Sequence, residues 1–279
     1  MTRETCSGAL TLTSPRFHHA SLHRAPGMGI TAMEFASNHS FPRHSHDEYG
    51  IGVVLSGAQR SWSGVGSVES LPGDVITVNP GEIHDGHPIN GAVRRWRIIY
   101  FDPSALSGQF APDVPREIEF ASPSMSDANL GYWVNRLFDR LVEGADRLGI
   151  EEIVAQTVPR LVSQEARPSR DPGGHSVEVA KVRARIDDDP SSPVTLADLA
   201  ALSGMSRYQI VRAFSREIGT TPYAYVIQRR ARLALELLSN GATLATASQL
   251  AGFADQSHMT RAFVRQFGIS PGRYVSAGA

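Results

Sequence analysis

His44 and His46 lie two residues apart in Pro42-Arg43-His44-Ser45-His46-Asp47-Glu48-Tyr49, and a third histidine, His84, ends Asn79-Pro80-Gly81-Glu82-Ile83-His84. Residues i and i+2 of a strand share one face. His44 and His46 therefore point the same way, and His84 from another strand can meet them. Three imidazoles suit a transition metal, with Glu48, two residues after His46, as the candidate carboxylate. The same region suits a different use. Arg43, His44, His46, Tyr49, His84, Trp96 and Arg97 bring ring-bearing and basic side chains to a small β-domain, and these fit a polar or anionic small effector. In a third reading the two segments only hold turns and sheet edges. The residues alone leave all three open.

A second constellation lies near the C-terminus. Arg207, Tyr208, Val211 and Arg212 are matched in position, 49 residues on, by Gln256, Ser257, Thr260 and Arg261. Arginine pairs bidentately with guanine and glutamine with adenine, so these side chains suit base edges and phosphates in a major groove. Arg229, Arg230 and Arg232, between the two sets, either touch phosphate or form a solvated basic face.

The elements that position this second set are repeated. Arg212-Ala213-Phe214 recurs as Arg261-Ala262-Phe263, and Gly219, Pro222 and Tyr225 recur as Gly268, Pro271 and Tyr274, all at an offset of 49 residues. Gly204 matches Gly252 at an offset of 48. Matches at a fixed offset across several residue types indicate a duplicated unit. In the first copy Thr195 with Asp198, and Ser206 with Gln209, have the spacing of capping boxes that start two helices. Leu196, Leu199, Ala200 and Leu202 are expected to form the buried face of one, and Ile210, Ala213 and Phe214 that of the next. Gly204 makes the turn and Gly219 ends the second helix. In the second copy a helix over 244–251 leads to Asp255 as the next cap, with Met259, Ala262 and Phe263 inward. A helix from Pro222 to about Leu238 joins the copies. These are two helix-turn-helix units on one spacer, so one chain can reach two successive major grooves.

Residues 178–274 resemble the DNA-binding domain of the AraC/XylS family of transcription regulators. The resemblance is carried by Gly252-Phe253-Ala254-Asp255-Gln256-Ser257-His258-Met259-Thr260-Arg261-Ala262-Phe263 and Phe267-Gly268-Ile269-Ser270-Pro271-Gly272-Arg273-Tyr274. Met259 stands where the family usually has an aromatic, and Val211 where it is often polar. The histidine segments resemble the paired motifs of the cupin barrel. Cupin enzymes hold metal with His-x-His, a carboxylate three or four residues on, and a later histidine. Here Glu48 follows His46 by two, so the carboxylate is displaced. AraC-like regulators use this barrel to bind small effectors.

Upstream, Tyr49–Leu55, Val75–Val78 and Arg94–Phe101 read as strands between Gly/Pro turns, as in an antiparallel sandwich or barrel. Leu130, Val134, Leu137, Phe138 and Leu141 recur at helical spacing. Ile150, Ile153, Val154 and Leu161 continue it, with Pro159 a kink or an end. These helices pack on the barrel or on a second copy in a homodimer. The expected fold is α+β: a cupin-like effector-sensing domain over 1–125, a helical segment over 126–165, a linker over 166–175, and an all-α DNA-binding domain over 176–279.

The chain has 279 residues and a net charge of −1, which alone argues against nucleic acid. The distribution argues otherwise: 12 Lys and Arg against 8 Asp and Glu from Ser176 onward give +4, leaving −5 before it. No run of about 18 apolar residues exists, so no membrane span is expected. The lone cysteine, Cys6, excludes an internal disulfide and fits a reducing, cytoplasmic setting. The expected protein is a regulator of transcription and not an enzyme, with no catalytic residues and no cofactor. Its expected partners are double-stranded promoter DNA, a small effector and, for an activator, RNA polymerase. The competing functions are a metal-binding cupin enzyme fused to a DNA-binding domain, and an effector-independent DNA binder with a vestigial sensor.

Overall fold

The structure, a computed structural model, describes residues 16–25, 27–106, 118–144, 146–168 and 175–277. Cys6 and most of the expected linker lie outside them. The N-terminal half runs through strands β1 (His18–Ala25), β2 (Ile30–Ser37), β3 (Phe41–His44), β4 (Tyr49–Ser56), β5 (Gln59–Ser63), β6 (Gly66–Ser70), β7 (Val75–Val78), β8 (His84–Pro88) and β9 (Arg94–Phe101). A helical turn α1 (Pro103–Ala105) follows, then β10 (Ile118–Phe120), β11 (Ser124–Met125), α2 (Ala128–Glu143), α3 (Arg147–Glu165) and β12 (Ala166–Pro168). The first three residues of the expected linker are thus a strand, paired antiparallel with β10.

Two antiparallel sheets face each other, ordered β1-β2-β9-β4-β7-β11 and β3-β8-β5-β6. Alternation sorts the larger sheet into two faces. Tyr49, Ile51, Val53, Val75, Ile99 and Phe101 point to one side, where Leu130, Val134, Leu137 and Phe138 of α2 and Ile153, Val154 and Val158 of α3 bury them. The apolar stripe of these helices is therefore consumed inside the chain. Pro159 neither ends nor interrupts α3. Gly52 is where β4 meets β9 most closely: a Cβ there would stand 2.2 Å from the Arg97 carbonyl oxygen.

The C-terminal half is helical: α4 (Val177–Asp188), α5 (Leu196–Ser203), α6 (Arg207–Ile218), α7 (Pro222–Ser239), α8 (Leu244–Leu250), α9 (Gln256–Phe267) and α10 (Pro271–Ser276). Both capping boxes form, and Gly204, Gly219 and Gly268 adopt left-handed C-caps. On α5 the buried stripe is Leu199, Ala200 and Ser203, while Leu196 and Leu202 are exposed. In so short a helix Ser203 turns inward by donating its hydroxyl to the Leu199 and Ala200 carbonyls.

The two helix-turn-helix units are buried differently. The first has its own core of Val179, Val182, Ile186, Leu199, Ile210 and Phe214. The second shares one continuous core with the barrel: Phe253, Met259, Phe263, Ile269 and Tyr274 join Met33, Phe35, Trp96 and Ile98 on the larger sheet's other face and Phe41 of the smaller sheet.

Candidate functional site

Between the two sheets lies a cavity of about 280 Å³. Its wall is mostly apolar, from Leu22, Met33, Phe35, Phe41, Ile76, Val78, Trp96 and Ile98. The connecting helix contributes Leu235, and the second helix-turn-helix unit Gln266, Phe267, Ile269 and Tyr274, to the same wall. Of the residues expected to line a pocket, His44, His46, His84 and Trp96 do so, and Trp96 stacks on Phe35 with ring centroids 4.8 Å apart.

Arg43, Tyr49 and Arg97 do not. Tyr49 faces α2 and α3 and donates its hydroxyl to the Ile118 carbonyl. Arg97, next to Trp96 and so on the opposite face, pairs with Glu34 at 3.0 Å and Asp139 at 2.8 Å, tying the sheet to α2. Arg43 turns outward, stacks over Trp62 and donates to the Gly219 carbonyl at 2.7 Å.

Sequence reasoning missed Arg94 and Tyr100. They occupy the inward register set by Trp96, so counting back by two and forward by four from that residue would have found both. Arg94 is 1% exposed. Its guanidinium donates to Gln59 Oε1 and to the His39 and Gly86 carbonyls, and it lies 4.7 Å from the Trp96 ring. No carboxylate among the described residues pairs with it. Burial lowers its pKa to about 10, still protonated at neutral pH. Burial raises that of Tyr100, helped by the charge of Glu48.

At the other end of the cavity the ligand-capable nitrogens of His44, His46 and His84 lie within 4.8 Å of one another. Burial, reinforced by His84, lowers the His44 pKa to about 3. Burial also holds His46 well below, and His84 below, the ordinary value, so all three rings are neutral at pH 7. Glu48, the carboxylate expected beside them, is outside the cluster. It accepts from Arg232 at 2.7 Å, because the chain turns it toward α7.

The side chains expected to recognise DNA lie on α6 and α9. Arg207, Tyr208, Arg212, Gln256, Ser257 and Arg261 are exposed, and Val211 and Thr260 half-buried. The Arg212 guanidinium donates to the Tyr208 hydroxyl at 2.9 Å, which pre-orients it across the helix face. The three arginines of α7 are otherwise engaged. Arg229 pairs with Asp187 and Asp47, and Arg232 with Asp47 and Glu48. Arg230 donates to the Pro190, Gly252 and Ser192 carbonyls. None is a solvated basic face.

Comparison with known proteins follows the same division. Residues 31–158 match the AraC-like ligand binding domain, and residues 199–277 match a helix-turn-helix domain. The chain belongs to the AraC family of transcription regulators. Among its relatives is the HTH-type regulator YbfI of Bacillus subtilis, 29% identical over 86% of this chain and 89% of the relative. Within the DNA-binding part, the transcriptional activator NphR of a Rhodococcus species is 43% identical over 29% of this chain and 24% of its own. ToxT of Vibrio cholerae has a similar fold, at 11% identity and a TM-score of 0.52 over 93% of this chain and 97% of that one. This AraC-type regulator therefore combines a ligand-binding domain with a DNA-binding domain. No helix among its described residues is long and apolar enough to cross a membrane.

Proposed function

We propose that this regulator responds to a small effector, mostly apolar with one anionic group, that binds between the barrel sheets and resets the second helix-turn-helix unit on DNA. One observation carries the reading: the cavity wall is shared between the barrel and that unit. An occupant would touch both at once. It acts to the extent that its contacts differ between the two arrangements of the domains. The apolar wall sets the body of the effector, and the buried, unpaired charge of Arg94 favours an anion beside it. A cavity of about 280 Å³ holds a small molecule only. A structure of ToxT with a bound unsaturated fatty acid is known, and such a molecule has this chemistry. DNA recognition falls to Arg207, Tyr208, Val211 and Arg212 in one groove segment and Gln256, Ser257, Thr260 and Arg261 in the next. α7, about 27 Å long at 1.5 Å per residue, spaces them.

The test titrates the full chain with aliphatic and aromatic carboxylates and their uncharged esters, reading tryptophan fluorescence. It is paired with footprinting of the DNA upstream of its gene. Saturable binding of an acid over its ester, with an altered footprint, is expected. No binding by any acid, or the same footprint with and without the bound acid, overturns the effector reading.

A further inference from the structure

We propose that His44, His46 and His84 form a binding site for a divalent transition-metal ion of the zinc class, and that the ion braces the strand segment by which the barrel grips the DNA-binding domain. The donor set supports this. The Nδ1 of His44 lies 2.7 Å from the Pro42 carbonyl, and the Nδ1 of His84 lies 3.0 Å from that of Glu82. A carbonyl only accepts, so both Nδ1 atoms carry the proton and both Nε2 atoms keep a lone pair. Backbone carbonyls fix the tautomer and ring orientation of metal-ligating histidines in the same way. His46 completes the set, its ring 4.9 Å from that of His44 and 5.3 Å from that of His84.

Imidazoles with no thiolate and no carboxylate select a borderline ion such as Zn²⁺ over Mg²⁺ or Ca²⁺. Tetrahedral Zn–N bonds of about 2.0–2.1 Å place ligand atoms roughly 3.3 Å apart. Metal binding therefore draws together ligand atoms that lie within 4.8 Å of one another. Three protein ligands leave one position for water or an effector atom.

The coupling rests on alternation along one segment. His44 and His46 point into the barrel. The residues before, between and after them reach the other domain: Arg43 to the Gly219 carbonyl of the first unit, the Ser45 carbonyl to Gln266 of the second, and Asp47 to Arg229 of the connecting helix. An ion that fixes the histidines fixes the grip on all three. Only this second part rests on the barrel being the sensing module.

The experiment strips the full-length protein with a chelator, then titrates it with Zn²⁺ and, as a spectroscopic probe, Co²⁺. One ion per chain is expected, with the visible absorption of tetrahedral Co²⁺. His44→Gln, His46→Gln and His84→Gln should each weaken uptake about 100-fold or more. His23→Gln, outside the cluster, should not. Absence of stoichiometric uptake by the unmodified protein, or uptake indifferent to those three variants while their circular dichroism stays native, overturns the site. Arg229→Gln should lower Zn²⁺ affinity by about 5-fold or more, since coupling is reciprocal. An unchanged affinity overturns the bracing. Metal uptake without any response to carboxylates defeats the effector reading and leaves this site standing; carboxylate binding without metal uptake does the reverse.

Discussion

Gly219 and Gly268 hold equivalent positions in the two repeats, and each offers its carbonyl to the barrel. Arg43 donates to Gly219 at 2.7 Å, and the Nε2 of His18 donates to Gly268 at 2.5 Å. Each carbonyl belongs to the C-cap of a recognition helix, so the barrel holds both helices by their rear ends and leaves their N-terminal turns toward solvent. The separation of α6 and α9 thus depends on the barrel as well as on α7.

Substitutions at the capping glycines should separate backbone strain from docking. Gly204→Ala, with φ +68° and open space around its Cβ, should cost only the left-handed penalty of about 1–2 kcal/mol. At Gly219 the new methyl would approach Trp62 at 3.2 Å, and at Gly268 it would meet Phe35 at 2.6 Å. Gly268→Ala should therefore be the most damaging, adding about 1–3 kcal/mol of overpacking. Denaturant unfolding of the three variants checks the order.

Arg261→Ala should cost about 1–3 kcal/mol of DNA affinity and relax base preference at one position, because the side chain projects freely from α9. Binding measured across single-base variants of the operator tests this. An equal loss on every sequence would make Arg261 a phosphate contact.

Arg230→Ala should leave the salt dependence of DNA binding unchanged. A phosphate contact would instead lower the slope by about 1. Its guanidinium is spent on the Pro190, Gly252 and Ser192 carbonyls, which join the two units. The variant should lose thermal stability, read by calorimetry, while the slope stays the same.

Arg232→Gln should weaken the domain interface by about 2 kcal/mol or more, since it removes the partner of Asp47 and Glu48 from a site where Arg232 is 6% exposed. Limited proteolysis between residues 165 and 176 should speed up correspondingly.

Acid should loosen the first helix-turn-helix unit through Glu217. Burial alone would raise its pKa. The Ser176 N–H and hydroxyl, with Arg216, outweigh that and hold it below the ordinary 4.5. A lowered folded-state pKa means the contribution is complete above about pH 4.5 and is lost as pH falls through the folded value. Glu217→Gln should flatten that part of the unfolding curve against pH.

The helix-turn-helix repeat was legible because its signals are local. Thr195 with Asp198, Ser206 with Gln209, Gly204 and Gly219 act within a few residues, and the outward positions of α6 and α9 follow from helical period alone. The inward register of β9 was legible in principle from Trp96, yet Arg97 was placed inside when alternation puts it outside and puts Arg94 in. Other features depended on partners 22 to 184 residues away. Glu48 could be judged a metal ligand until Arg232 stood beside it, and the arginines of α7 looked available for phosphate until Asp47, Asp187 and the Gly252 carbonyl claimed them. Sequence by itself determined the helices of the two helix-turn-helix units, their caps and the outward faces of α6 and α9. The tertiary structure alone decided that the second unit shares its core with the barrel and closes its cavity, because burial and charge pairing between distant segments are satisfied only when the whole chain is in place.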